Sequence, residues 1–258
     1  MKLTLRLAWG GLCMVLSGAV ATEAGAERLS LETRPGATVM VDLELPAEAT
    51  ALILLFEGGG GRIKASAKGF ASLAHQRLAR VGMASALIDA PSDKRQFMGG
   101  MHPNFRQSDA HLRDINGVVA ALRARSDLPL WVLGISLGSR SVAWYAANWP
   151  EQIDGVILMS SSTDNSKGEP VDRFPLQRIQ VPLLAVAHEA DGCPGTPPEG
   201  ATRIVAAASG SRAAEVRTFS GGRNAGRRAC GVRTYHTFYG IEDEVLAAVA
   251  DFIKSHTP

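Results

Sequence analysis

A serine between two glycines, at the end of an apolar run, is the best candidate nucleophile in this chain. Ser136 lies in the G-x-S-x-G segment 134–138, after the apolar residues 130–133 and before a stretch of helical periodicity that ends ahead of Pro150. A serine in a tight turn from strand to helix has a strained backbone that lifts its hydroxyl clear of the sheet edge. The pattern predicts nucleophilic catalysis at Ser136; the alternative is a glycine-rich turn with an incidental serine.

A serine hydroxyl needs a general base, and the base needs a group that orients it. Of the three histidines that follow Ser136, His236 comes after the last predicted strand and directly before the last predicted helix. Asp191, just beyond an apolar strand, is the best candidate to accept the imidazole N–H and stabilise the imidazolium. The rival carboxylates are Glu189 and Asp164, and the alternative role for Asp191 is that of a turn residue.

Acyl transfer also needs hydrogen-bond donors for a tetrahedral oxyanion. The backbone N–H of Leu137, at the start of the predicted helix, is one candidate. The second is expected at Gly59, in the glycine-rich segment 57–61 that follows a strand. A phosphate-binding loop is excluded because no Gly-Lys-Ser/Thr follows. The six histidines show no metal-ligand spacing, so we predict neither a metal site nor a cofactor.

Hydrophobic periodicity predicts the elements that position these residues. Two half-exposed antiparallel strands are expected at 27–32 and 38–45. Buried strands are expected at 51–56 and 130–133, further strands at 84–89, 155–159, 181–188 and 214–219, and helices at 70–81, 108–125, 139–148 and 241–253. Strands that alternate with helices indicate an α/β fold with a mostly parallel central sheet and helices on both faces.

The first 26 residues have the features of a secretory signal peptide. A basic start precedes an apolar run at 7–20, which is too short to span a bilayer comfortably, and small residues follow. The alternative is an uncleaved anchor. We therefore expect a signal peptide at 1–26 and a single domain at 27–258 that is secreted or periplasmic, without stable membrane insertion. Cys193 and Cys230 remain in the mature chain and are predicted to form a disulfide; the alternative is two buried free thiols.

The composition is that of an ordinary globular domain, with 46% hydrophobic and 20% charged residues and a formal net charge of +2. Nothing in this balance indicates a nucleic-acid partner. One stretch is locally basic, and a solvated loop is favoured there over a phosphate site. Its arginines are Arg223, Arg227, Arg228 and Arg233.

Together these residues resemble the α/β-hydrolase superfamily, and the resemblance covers nearly all of the mature sequence. It implies the α/β-hydrolase fold and the chain order serine, acid, histidine, carried here by Ser136, Asp191 and His236. More narrowly, four segments resemble a group of exported bacterial serine hydrolases of poorly defined substrate: 88–93, 105–108, 191–193 and 236–242.

One departure concerns the oxyanion loop. Many relatives have His-Gly where this chain has Glu57-Gly58. A carboxylate near the oxyanion hole would oppose the developing charge, unless it is turned away or paired with Arg62 or Lys64. Glu57 is therefore either a paired structural carboxylate or a contact for a cationic or hydroxylated substrate. Arg106 is a second candidate that could contact substrate or brace the site, the alternative being a solvated helix face.

The segment between the sixth and seventh strands bears on substrate size. Relatives that act on lipids often carry a large helical cap there, whereas residues 163–180 are polar and broken by Pro170 and Pro175. We expect no large cap and a small, accessible ester as substrate. The leading hypothesis is an exported serine hydrolase that cleaves carboxylic esters through an acyl-enzyme. The alternatives are an amidase or peptidase with the same residues, and a binding protein that has lost turnover. The oligomeric state is left open.

Overall fold

The computed structural model describes residues 25–63, 69–95, 99–164 and 168–257, in which the strands form one eight-stranded sheet. The strand order is β1-β2-β4-β3-β5-β6-β7-β8. The pairs β1–β2 and β2–β4 are antiparallel and the remaining pairs are parallel, which confirms the predicted mostly parallel sheet. The strands are β1 (Ala26–Arg34), β2 (Ala37–Glu44), β3 (Leu52–Phe56), β4 (Ala84–Ile88), β5 (Leu130–Ile135), β6 (Gly155–Met159), β7 (Leu183–His188) and β8 (Ala214–Phe219).

Five α-helices cover the two faces of the sheet. They are α1 (Phe70–Arg77), α2 (Asp109–Arg123), α3 (Gly138–Asn148), α4 (Gly200–Ala207) and α5 (Glu242–His256). Alternate residues of a strand face opposite sides, so Ile53 and Leu55 pack in one core with α1 and α5, while Leu52 and Leu54 pack in the other with α2, α3 and α4. The central strands are buried on both sides, as their continuous apolar runs require.

Helix α4 was not predicted. It is eight residues long and contains mostly small side chains, with Ile204 as the fully buried apolar anchor. A short helix of this kind has too few periodic positions to stand out in a sequence pattern. The other predicted helices are present with ends shifted by a few residues; the second half of 70–81, for example, is a 3-10 turn at Leu78–Val81.

The carboxyl ends of the parallel strands meet at one edge of the sheet, where ligands bind in open α/β folds. The loops after β3, β5, β6, β7 and β8 therefore share this edge. In its described residues, the connection from β6 to β7 contains two 3-10 turns, Val171–Arg173 and Leu176–Arg178, and no large cap.

The predicted signal peptide lies almost wholly outside the described residues and stays a prediction. Within the part of the chain that the structure describes, none of the helices has the length and apolar character needed to cross a bilayer.

Candidate active site

Ser136 lies in the turn between β5 and α3 with a left-handed backbone, φ +54°. Such a conformation costs free energy in a non-glycine residue and is retained where the surroundings impose it. Here the surroundings are close-packed: a Cβ at Gly134 would overlap the Gly138 carbonyl, and a Cβ at Gly138 would overlap the Phe56 carbonyl. The two glycines of the motif thus allow β3, β5 and α3 to approach closely enough to hold the serine in this strained turn.

Asp191 and His236 are brought together from the loops after β7 and β8. The His236 Nδ1 atom lies 2.9 Å from Asp191 Oδ2, and both side chains are almost completely buried. The other carboxylate oxygen, Oδ1, accepts the Cys193 backbone N–H at 2.9 Å. An ionised carboxylate only accepts hydrogen bonds. The contact between Asp191 Oδ2 and His236 Nδ1 therefore places the imidazole proton on Nδ1 and leaves Nε2 as an acceptor.

The end of β6 connects Ser136 with the histidine loop. The Ser136 backbone N–H donates to the Met159 carbonyl at 3.0 Å. The next residue, Ser160, has φ +37° and donates its hydroxyl to the His236 carbonyl at 3.0 Å. Among the described residues no hydrogen bond joins Ser136 Oγ to His236, and before substrate binds such catalytic contacts are often long.

The rival carboxylate Glu189 and His188, the first of the three histidines after Ser136, have other surroundings. Glu189 is exposed. His188 is buried, stacks on Tyr235 at 4.6 Å, donates from Nε2 to the Gly221 carbonyl and accepts the Ala190 N–H at Nδ1. These contacts make His188 a packing residue that holds the turn leading to Asp191.

The predicted oxyanion donors lie beside Ser136. A Cβ at Gly58 would be 3.1 Å from the Ser136 Cβ, so the glycine loop lies directly against the candidate nucleophile. Gly59 has φ +54°, a conformation that favours glycine. Within the described part of the chain, the backbone N–H groups of Gly59 and Leu137 have no hydrogen-bond partner and remain available to an incoming oxygen.

The Glu57 carboxylate lies between the Gly58 N–H and the first turn of α1. Its Oε2 accepts the Ser72 backbone N–H at 3.2 Å and the Ser72 hydroxyl at 3.1 Å, while Oε1 accepts the Gly58 N–H at 3.0 Å. Burial raises the pKa of Glu57, and these hydrogen bonds oppose that rise. Of the alternatives considered for this carboxylate, pairing with Arg62 is not present, because Arg62 binds Asp89 at 3.1 Å; Lys64 lies outside the described residues.

Arg106 is completely buried, which rules out the solvated helix face. Its Nη2 donates to the carbonyls of Gly59 at 2.9 Å and Glu57 at 3.3 Å, and its Nη1 donates to Ser141 Oγ at 2.8 Å. Desolvation lowers the pKa of Arg106 to about 9, with repulsion from Arg140 adding to the effect. Of the two roles considered for Arg106, these contacts fit bracing of the glycine loop.

The predicted disulfide between Cys193 and Cys230 is present and joins the loop that holds Asp191 to the loop that leads to His236. The basic stretch lies in the second of these loops and is exposed. Arg223 and Arg233 each place a guanidinium 5.3 Å from the centre of the Tyr239 ring.

A cavity of about 310 Å³ lies beside the histidine loop. Its lining combines apolar and polar side chains from α1 and from the residues around His236: Phe70, Leu73, Gln76, Arg233, Thr237, Tyr239 and Glu242. Across the described ranges, no group of three or more histidine, cysteine, aspartate or glutamate residues is arranged to hold a metal ion.

Sequence patterns did not single out two hydroxyl residues that contact the candidate catalytic residues. Thr196 Oγ1 donates to Asp191 Oδ2 at 2.9 Å and lies 3.1 Å from His236 Nδ1. Ser139 Oγ donates to the Ser136 carbonyl at 2.6 Å and accepts the Ser162 N–H. Thr196 carries no sequence signal, whereas Ser139 lies three residues after Ser136, about one turn, where a hydroxyl can reach back to the Ser136 carbonyl.

No protein-family model matches the chain, and no curated protein matches it. Several solved structures are similar to it. Est1E from Butyrivibrio proteoclasticus is 15% identical, with 89% of this chain and 98% of that chain covered and a TM-score of 0.63. The esterase Pf2001 of Pyrococcus furiosus is 13% identical, with 91% and 93% covered and a TM-score of 0.64. XC6422 from Xanthomonas campestris, described as a serine hydrolase without a lid, is 16% identical, with 91% and 96% covered and a TM-score of 0.58. On these similarities and on its own sheet order, this chain has the α/β-hydrolase fold.

Proposed function

We propose that this protein is a serine hydrolase that cleaves small carboxylic esters, with Ser136, Asp191 and His236 as its catalytic residues. The observation that carries the proposal is a serine in a strained left-handed turn at the same sheet edge as a buried carboxylate–imidazole pair. A packing serine has no need of that backbone conformation, and a buried Asp–His pair is what a general base requires.

The chemistry follows from these groups. His236 Nε2 takes the proton from Ser136 Oγ as that oxygen attacks the ester carbonyl, and Asp191 stabilises the imidazolium that forms. The carbonyl oxygen becomes an oxyanion, to which Leu137 and Gly59 donate their free N–H groups. The imidazolium protonates the departing alcohol. A water molecule, deprotonated by His236, then releases the acid and restores Ser136.

Two features support a small, accessible substrate. The first is that the described part of the β6–β7 connection has no large cap. The structural neighbours named above include two esterases and one lidless serine hydrolase, in agreement with an ester substrate.

The alternative of a non-catalytic binding protein loses its main support. That support was a carboxylate aimed at the oxyanion hole, whereas the Glu57 carboxylate is engaged by Ser72 and Gly58. An amidase or peptidase would use the same residues, so its distinction from an esterase is left to experiment.

Covalent labelling by a fluorophosphonate tests the proposal. The purified mature protein should be labelled, and Ser136→Ala and His236→Ala should not be, because the probe requires an activated serine. His256→Ala is the matched control: His256 lies at the far end of α5, which runs away from the site edge, and labelling should persist. A folded wild-type protein that is never labelled would refute the proposal.

Leaving-group preference separates an esterase from an amidase. Matched p-nitrophenyl esters and p-nitroanilides, graded by acyl length, should show turnover of short-chain esters well above that of anilides. Anilide turnover at comparable kcat/KM would instead assign the protein to the amidases or peptidases.

Export is part of the proposal. The N-terminal sequence pattern and the disulfide both support an oxidising compartment. Expression of the full chain in a bacterial host, followed by fractionation and N-terminal sequencing, should yield a periplasmic or secreted protein that begins near residue 27. An unprocessed chain retained in the membrane would indicate an anchor instead.

A further inference from the structure

Hydrogen bonds hold four successive carbonyls of the glycine loop, those of residues 57 to 60. The Gly58 carbonyl accepts the Gly61 N–H at 3.0 Å, and the Gly60 carbonyl accepts the Met101 N–H at 2.8 Å. The Gly58 N–H is bound by the Glu57 carboxylate. The carbonyls of Glu57 and Gly59 both accept from Arg106 Nη2. Among the N–H groups of the four glycines, those of Gly59 and Gly60 have no partner in the described chain, and Gly59 is the predicted oxyanion donor.

The geometry of the peptide group explains why the Arg106 contacts matter. The Gly59 N–H belongs to the planar peptide between Gly58 and Gly59, in which the carbonyl and the N–H point in opposite directions. Arg106 binds the carbonyls of the two flanking peptides. One is the Glu57 carbonyl, in the peptide between Glu57 and Gly58, and the other is the Gly59 carbonyl, in the peptide between Gly59 and Gly60. Four glycines in a row have little conformational preference of their own, so an external brace must set the direction of that N–H.

Arg106 is itself anchored from the opposite side. Ser141 Oγ accepts from Arg106 Nη1 and lies 2.9 Å from His111 Nε2, so the hydroxyl can donate to that nitrogen. All three side chains are buried. Among the described residues no carboxylate lies within ion-pair distance of Arg106, although burying an unpaired cation is costly. The hydrogen bonds that Arg106 donates go to the Glu57 and Gly59 carbonyls and to the Ser141 hydroxyl.

We propose that Arg106 is a positioning residue for the oxyanion hole, which acts through the Glu57 and Gly59 carbonyls to aim the Gly59 N–H at the substrate oxygen. This inference rests on the proposed function and assigns a role beyond it. Because Arg106 has no exposed surface, it exerts this role without touching substrate.

Substitution of Arg106 separates a positioning role from a purely structural one. Arg106→Met removes both loop contacts, and kcat on a short-chain ester should fall about 10²-fold, the effect of losing one oxyanion donor, with KM within about threefold. Arg106→Lys, which can reach fewer carbonyls, should lie between Met and wild type. A phenylboronic acid forms a tetrahedral adduct on an active serine, and its affinity should fall in step with kcat/KM across the series.

Arg140→Met is the matched control. Arg140 is also buried, but it binds the Glu169 carbonyl and Gln107 instead of the glycine loop. It should lower thermal stability while kcat and boronate affinity stay near those of wild type. If Arg106→Met retains the wild-type kcat per folded molecule, or loses activity only in proportion to unfolding, the positioning role is refuted.

Ser141→Ala keeps the test decisive if Arg106→Met does not fold. This variant removes the anchor and leaves the guanidinium in place, so kcat and boronate affinity should both fall about threefold to tenfold at unchanged KM. An unchanged kcat in folded Ser141→Ala would count against the proposal. The proposed hydrolase function is judged separately, by wild-type labelling and its loss in Ser136→Ala.

Discussion

At the scale of single residues, Asp191 has more hydrogen-bond donors around it than a simple Asp–His pair would need. Oδ1 accepts the Cys193 N–H, and Oδ2 is shared by Thr196 and His236. A carboxylate held on both oxygens cannot rotate freely, so the imidazole proton stays on Nδ1 and the ring keeps one orientation.

Asp191→Asn should therefore impair turnover far more than stability. The amide can present an N–H to His236 and so favour the wrong tautomer, and kcat is expected to fall on the order of 10⁴-fold. Steady-state kinetics with a thermal melt of the same sample measures both effects. Glu189→Gln, at an exposed carboxylate two residues earlier, should leave kcat unchanged. A loss below tenfold in folded Asp191→Asn would assign the acid's role to another residue.

At the scale of elements, the site is assembled from loops that belong to different strands. The bridge from Cys193 to Cys230 ties the loop after β7 to the loop after β8. On the Cys230 side, Thr234 Oγ1 donates to the Ala229 and Gly231 carbonyls at 3.1 and 2.8 Å, which binds the bridge to the turn that carries His236. The loops that carry Asp191 and His236 are thus joined by a disulfide bond that lies outside the sheet.

Reduction of this disulfide should lower activity before it unfolds the domain. The bridge closes a loop of 37 residues, for which chain entropy gives a stabilisation of about 4 kcal/mol. Both cysteines lie outside the strands of the sheet, in the loops that carry Asp191 and His236, so loss of the bridge should loosen these loops first. Activity and far-UV circular dichroism followed together on heating, with and without reductant, should show activity lost at the lower temperature.

The Cys193→Ala/Cys230→Ala variant is the control for this experiment. It should behave like the reduced wild type and be unaffected by reductant. If activity and ellipticity are lost at the same temperature under reduction, the bridge stabilises the whole domain and has no separate effect on the site.

At the scale of the whole molecule, buried ionisable groups link stability to pH. Burial and the nearby Arg106 and Arg34 lower the pKa of His111 to about 3, far below the ordinary 6.5 of histidine. Between these values the unfolded chain binds a proton at His111 that the folded chain does not, so the contribution of His111 to stability falls as the pH decreases from about 6.5 toward 3. Burial raises the pKa of Glu57, so the contribution of Glu57 to stability falls as the pH rises above the ordinary pKa of a glutamate.

His111→Gln isolates the histidine contribution. The difference in unfolding free energy, wild type minus variant, should decrease by about 1.4 kcal/mol for each pH unit on going down through that window, and should be flat above it. Urea unfolding at a series of pH values measures the difference. His256→Gln, at a partly exposed histidine, should give a curve parallel to wild type. A His111→Gln curve parallel to wild type would show that His111 is not buried in the neutral form.

Much of the architecture could be predicted because burial leaves a local pattern. Continuous apolar runs predicted the central strands, alternation predicted β1 and β2, and helical periodicity predicted every α-helix except α4. The same local reasoning identified Ser136, since a strand, two glycines and a helix around one serine are adjacent in sequence. The joint role of Ser136, Asp191 and His236 stays a prediction, which their placement at one sheet edge supports.

Side-chain partners drawn from distant segments could not be predicted. The sequence allowed Glu57 to pair with Arg62 or to face a substrate, and only the packing of β3 against α1 turned its carboxylate to Ser72. It equally allowed Arg106 to be solvated, and only the approach of the 3-10 turn at Pro103–Gln107 to α3 buried it behind the glycine loop. Periodicity encodes which face of an element is buried, because that depends on neighbouring residues. Which polar group meets which depends on the relative placement of whole elements, and that is a property of the tertiary structure alone.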